Sequence, residues 1–253
     1  MFAPSHLHIA RRDRAILTGS LAAMAVTAWL ALWLLSGSPY GGDLNHDGLL
    51  SSAIVGVVLF TAGWTLMIIA MMLPTSIPLV VTFGALVARR RRPARLVGLL
   101  LVGYLAVWAG FGFSAWIADR IVHATVEAIP WLAAQPQLIL GATLLGAGLW
   151  QFSPLRDRCL DECRSPLGFV VNRWRGISER REALQMGVAH GAFCVGCCWS
   201  LMLVMFGVGV SSLVLMLLLG GVTAIEKNLP QGRRLSRPLG VGLILSAVYA
   251  VAA

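Results

Sequence analysis

The chain alternates long apolar runs with short polar stretches rich in arginine. Runs long enough to cross a bilayer, roughly 17–25 residues each, recur from end to end. The pattern predicts helices over about Ala15–Leu35, Leu96–Ile117, Leu138–Phe152, Ala183–Val208, Ser212–Ile225 and Leu239–Ala252. One further run, Ser51–Ala88, is too long for a single perpendicular crossing and is broken by Pro74 and Pro78. Proline removes a backbone hydrogen bond and bends a helix. That run therefore predicts a kinked, tilted helix, or a span followed by a half-helix.

Composition turns this pattern into a class. The chain is 58% hydrophobic and 12% charged, with a mean hydropathy of +0.79. A soluble domain carries about 25% charged residues. The expected fold is all-α: a polytopic transmembrane helical bundle of about seven helices, forming a single integral membrane domain over residues 1–253. The first run follows Arg11, Arg12 and Arg14 and looks like a signal peptide. It is long, lacks a small-residue cleavage site and is followed by further apolar runs, so it reads as a retained helix.

The net charge of +9 does not call for nucleic acid. Seven crossings place residues 1–14, 89–95, 153–182 and 226–238 on one side, and these hold 19 of the 20 Lys and Arg residues. Basic loops stay cytoplasmic. The N-terminus is therefore expected inside, the C-terminus outside, and the cysteine-containing loop 153–182 in the cytoplasm. The partner implied for most of the surface is the lipid bilayer, with a membrane-protein partner or a second copy as further candidates. On the other side, residues 118–137 are expected to form a short interfacial helix. The turn-rich stretch 36–50 carries Asp43, Asn45 and Asp47 in the alternation of a calcium loop. It lacks the twelfth-position glutamate and reads as a solvated turn.

Chemistry concentrates in two cysteine clusters, which hold all five cysteines. The first is His190, Cys194, Cys197 and Cys198. On a helical wheel, Cys194, Cys197 and Cys198 lie about 40°, −20° and 80° from His190. Met186 and Met205 fall on the same stripe, and Cys198 sits at its edge. Lipid offers such a stripe no partner, so it faces the protein interior. Thiolate, thioether and imidazole donors suit Cu(I), with Zn(II) as the alternative. Read blandly, the cysteines are small hydrophobes that pack. Three of them within five residues, one turn after a histidine, favour a site.

The second cluster is Cys159 and Cys163, which share a face if the loop is helical. Flanking arginines favour their thiolates. An inert pair on an amphipathic loop helix is the alternative. A third feature is the stretch from Trp64 to Pro78, where Met67 and Met71 face together just before the proline break. As thioethers they are Cu(I) donors; as ordinary residues they are packing in a kinked helix. Glu226, with Lys227 beside it, reads as a snorkelling interfacial charge, with a carboxylate near the site's cytoplasmic mouth as the alternative.

Together, Trp64, Met67, Met71-Met72-Leu73-Pro74, Cys159, Cys163, the His190–Cys198 motif with Trp199, and Glu226-Lys227 resemble a bacterial family of predicted metal-binding integral membrane proteins, a domain of unknown function. The resemblance runs from Trp64 to Lys227. It implies a multi-pass protein of the bacterial cytoplasmic (inner) membrane that binds metal. One departure is Ser211-Ser212-Leu213 and Leu215-Met216, where the family pattern has Met-Asn-Leu and Trp-Met.

No Gly-x-Ser-x-Gly elbow, Walker loop or His-Glu-x-x-His helix is present. Three functions remain open: handling of a soft metal as chaperone, assembly factor or transporter; thiol–disulfide exchange through Cys194-Val195-Gly196-Cys197; and a structural role in a membrane complex.

Overall fold

The computed structural model describes residues 5–36, 53–208 and 212–252. They form eleven α-helices and two 3₁₀ turns, with no strand among them. The stretch with Asp43, Asn45 and Asp47 lies outside the described residues.

The helices are α1 (Ser5–Ser36), α2 (Ala53–Met71), α3 (Ile77–Val87), α4 (Pro93–Ala128), α5 (Pro130–Ala133), α6 (Pro136–Trp150), α7 (Pro154–Arg164), α8 (Pro166–Arg173), α9 (Glu179–Val208), α10 (Leu213–Asn228) and α11 (Ser236–Ala252). Proline writes many of the starts. Helices α4 to α8 each carry one in the first turn, where the missing N–H costs nothing. The start of α9 is built differently. The Glu182 carboxylate accepts the backbone N–H groups of Arg175, Gly176, Ile177 and Ser178 at 2.7–3.1 Å. Gly176, at φ 75°, supplies the left-handed turn that lets the chain fold around that carboxylate.

Four helices are long and apolar enough to cross a membrane, or six if each of two bent pairs counts as one span. The first bent pair is the Ser51–Ala88 run. It breaks at a 3₁₀ turn, Pro74–Ser76, and bends by 47°. Trp29 Nε1 donates at 3.0 Å to the Ala70 carbonyl, which Pro74 leaves without an N–H partner, while Thr75 Oγ1 donates to the Met72 carbonyl at 2.8 Å and Ser76 Oγ to the same oxygen at 3.4 Å. The second pair, α6 and α7, turns by 65°. Helix α10 has 16 residues, at the lower limit for a crossing.

One expectation is corrected. Residues 118–137 do not form a separate interfacial helix. Helix α4 continues unbroken to Ala128, because no Gly or Pro lies between Gly112 and Pro130. The Cys-containing stretch 153–182 is helical, the case in which Cys159 and Cys163 share a face: it forms α7 and α8, and α7 packs along α9.

The core centres on α9. Gly103 of α4 and Gly187 of α9 meet where a Cβ on either would overlap the other helix's backbone, so α4 and α9 cross in direct contact. That crossing carries Tyr104 alongside the cysteine stripe.

Candidate metal centre

The stripe predicted on α9 faces inward as its wheel requires. His190, Cys194, Cys197 and Cys198 are all at most 3% exposed, and Met186 and Met205 are buried with them. Four other elements converge on it. Helix α4 brings Tyr104, whose hydroxyl lies 3.2 Å from Cys194 Sγ. Helix α10 brings Lys227, whose Nζ donates to the same sulfur at 2.9 Å. Helix α7 brings Cys163 beside Cys194 and Cys197. The break after α2 brings Met72, with Sδ 3.9 Å from Cys198 Sγ.

Small residues make these approaches geometrically feasible. A Cβ on Gly196 would stand 2.6 Å from Cys159 Sγ, so α7 lies against α9 at a glycine, where a larger residue would force the Cys159 side chain to shift. The two cysteine clusters, 31 positions apart between Cys163 and Cys194, thus become one sulfur-rich patch. The five cysteines are free thiols. Cys197 and Cys198 both donate to the Cys194 carbonyl, at 3.1 and 2.8 Å.

His190 is held by aromatic neighbours and one polar contact. Tyr104 stacks on it and Phe169 meets it edge-on, each at 5.5 Å between centroids. Its Nε2 lies 3.1 Å from Ser76 Oγ. Because Ser76 donates its proton to the Met72 carbonyl, the network assigns Nε2–H as donor to Ser76. Nδ1 is then the bare nitrogen, and it is buried with no hydrogen-bond partner. A buried unpaired nitrogen is costly unless it has a ligand to meet.

The cation at the thiols is not the one expected. Arg156 and Arg164 flank the α7 cysteines, yet both are engaged elsewhere. Arg156 binds Glu226 at 2.7 Å, and Arg164 donates to the carbonyls of Glu226, Leu229 and Pro230 at the end of α10. The charge facing Cys194, Cys197, Cys198 and Cys163 belongs to Lys227.

A family model described as PpoB2, a copper chaperone, matches residues 61–250. The chain belongs to this copper-chaperone family. Its role is therefore copper handling. No curated protein and no solved structure matches the chain.

For a copper-chaperone family member the donor chemistry fits: thiols, a thioether and a bare imidazole nitrogen are ligands for a soft ion. The thiols do not stand in a finished cage. Among the described residues no three His, Cys, Asp or Glu side chains are arranged to hold a metal ion. The sulfurs are turned instead onto one another, onto the Cys194 carbonyl and onto Lys227.

Of the residues singled out from sequence, His190, Cys194, Cys197, Cys198, Cys159 and Cys163 gather at this patch. Met67 and Met71 are buried on α2, and Met71 packs against Gly220 of α10. Sequence reasoning passed over Met72, Tyr104 and Lys227 as site residues. Lys227 had a signal, since it is the only lysine in a chain with 19 arginines. A second correction concerns Glu226. It does not snorkel: it is 2% exposed and bonds Arg156, itself 0% exposed, while Ser236 Oγ donates to its other oxygen at 2.8 Å. A lone acidic residue at a helix end gives no hint of a partner 70 positions upstream.

Proposed function

We propose that the chain spans the bacterial cytoplasmic membrane and carries Cu(I) as cargo on Cys194 and Cys197. In this reading Cys163, Cys198, Met72 and His190 Nδ1 complete or relay the coordination. The observation that carries it is the meeting of three thiols from α7 and α9 with one buried ammonium. Two thiolates and Cu(I) sum to one negative charge, and Lys227 cancels it. A neutral cluster is what a site shielded from water can hold, because an unbalanced charge in low dielectric is expensive. Zn(II) on the same ligands leaves a positive charge and gains little from a thioether.

Loading asks for side-chain rotation only. Cys197 and Cys198 must release the Cys194 carbonyl and turn their sulfurs together. Cysteines held by weak thiol hydrogen bonds can do that without moving the helices. A shared, loosely held set of soft donors also suits an ion that must be passed on. Cys159, seated on Gly196 beside the patch, is a station on the α7 side.

The membrane setting rests on apolar exposure. Leu30, Trp33 and Leu34 on α1, Val102 and Phe113 on α4, and Leu245, Val248 and Tyr249 on α11 are all more than 40% exposed. Facing water they would be a severe liability; facing lipid they are ordinary. Seven crossings with the N-terminus inside then follow from the arginine distribution. The acceptor of the copper is a membrane-protein partner or a second copy of the chain.

Cu(I) binding is tested on the full chain in nanodiscs, by competition with a chromogenic Cu(I) chelator. Wild type should hold about one equivalent, and the double variant Cys194→Ser/Cys197→Ser none, because hydroxyl is a poor ligand for a soft ion. Equal copper in both would sink the proposal.

One observation favours a second reading. Cys163 beside Cys194 and Cys197 is also a geometry for thiol–disulfide exchange. Thiol counting on the copper-free protein separates the two. Five reactive thiols on unfolding support copper carriage, whereas oxidised pairs and no copper uptake support exchange.

A further inference from the structure

All seven methionines from Met67 to Met216 are at most 3% exposed, and they share one core with the buried cysteines. Leucine would pack there as well as methionine does. The helix registers say where the sulfurs fall.

Helices α9 and α10 run antiparallel. Cys194 meets Lys227, and α9 ends at Val208 and α10 starts at Leu213, each fourteen residues beyond that contact. Met205 follows Cys194 by eleven residues, and Met216 precedes Lys227 by eleven. Eleven residues turn a helix by about 1100°, three turns plus about 20°, and advance it by about 16 Å. Met205 and Met216 therefore repeat the facing of Cys194 and Lys227 three turns further along. Helix α2 reaches the same level. Met72 meets Cys198 and Ser76 meets His190, so this part of the chain runs opposite to α9 and along α10. Met71 packs on Gly220 of α10. Met67 and Met216 stand four residues before that pair on the two helices, one turn back on the same faces. Three thioethers from three helices converge at one height, each 1% exposed.

We infer that Met67, Met205 and Met216 form a second, thioether-only site for Cu(I), outward of the thiols, through which the ion reaches them. This rests on the copper reading and on the orientation in which α9 runs outward. Thioethers are neutral and soft, so they take Cu(I) and discriminate against Zn(II). The ion keeps its positive charge there, which is expensive in low dielectric. At Cys194 and Cys197 the thiolates and Lys227 bring the sum to zero. The outer site is therefore weak, and the step inward is downhill. Met71 and Met202 occupy the levels between, and Met72 ends the interval with Sδ 3.9 Å from Cys198 Sγ.

A chelator that competes with thiolates strips thioethers, so that competition reads the thiols alone. The outer site is tested by direct titration with Ag(I), a redox-stable soft monovalent ion. The protein is the full chain in nanodiscs with every cysteine replaced by serine. About one equivalent should bind, and Zn(II) should not. Adding Met205→Leu/Met216→Leu, which keeps size and apolarity, should weaken Ag(I) by at least about tenfold, the least that a change at a metal site usually costs. A second measurement keeps the cysteines. Selenomethionine-labelled wild type carrying two equivalents of Ag(I) should show silver–selenium scattering at the selenium edge, and Met67→Leu/Met205→Leu/Met216→Leu should lose most of it. Unchanged Ag(I) affinity in the double variant, or unchanged scattering in the triple variant, would return these methionines to packing. Copper on the wild-type thiols without either silver signal would remove the outer site alone. Both silver signals without copper on the thiols would remove the thiol reading and leave the outer site standing.

Discussion

Lys227 carries the largest single electrostatic burden at the centre. It is 6% exposed, and its ammonium lies 2.9 Å from Cys194 Sγ. Replacing it with methionine keeps the packing and deletes the charge, leaving a loaded bis-thiolate without a counter-ion. Cu(I) affinity of Lys227→Met should fall by at least about tenfold, in line with the worth of a hydrogen bond to a charged group. Lys227→Arg should recover only part of it, because a planar fork does not replace a compact ammonium. Chelator competition reads both, and wild-type affinity in Lys227→Met would remove the counter-charge role. At the same scale, Met72→Leu preserves size and apolarity. It should weaken Cu(I) while leaving Zn(II) unchanged. Met67→Leu/Met71→Leu is the companion experiment: these two count as donors only if their joint loss also lowers Cu(I) affinity.

Helices meet at this centre because particular positions let them. Gly196 admits α7, and a methyl there would press on Cys159. Gly196→Ala should cost about 1–3 kcal/mol, as overpacking does. It should also raise labelling of Cys159 and Cys163 by a water-soluble maleimide, as α7 lifts from α9. Unchanged labelling would mean that α7 is held elsewhere. The second fastening is the buried pair of Arg156 on α7 and Glu226 on α10, with Ser236 of α11 bridging them. Removing one partner strands a charge, so Glu226→Gln should destabilise by about 3–5 kcal/mol. The apolar double variant Arg156→Met/Glu226→Leu should recover most of that loss. Denaturant unfolding in micelles measures both, and additive losses would show that the pair is not coupled.

For the whole molecule the testable quantity is orientation. Accessibility tags at position 45 and at the C-terminus should report from outside, and tags at Arg92 and Arg173 from inside, because the basic loops hold 19 of 20 cations. A cytoplasmic C-terminus would remove the seven-crossing arrangement.

Much of this was legible in the chain. Apolar run length predicted helices, and most of their boundaries, because a helix in an apolar setting must satisfy its backbone internally. The wheel of α9 placed His190, Cys194, Cys197 and Cys198 on one buried face, since a 3.6-residue repeat fixes neighbours within one helix. The proline break and its Thr75 and Ser76 caps were equally local. What sequence could not supply is every relation between elements. That Cys163 meets Cys194, that Met72 rather than an earlier methionine lies against Cys198, and that Lys227 and Glu226 turn inward were decided by three contacts: the glycine crossing of α4 on α9, the Gly196 seat for α7, and the buried Arg156–Glu226 pair. A sequence fixes which side chains share a face. Only packing decides which faces meet, because a contact between helices depends on the volume and charge of both partners at once.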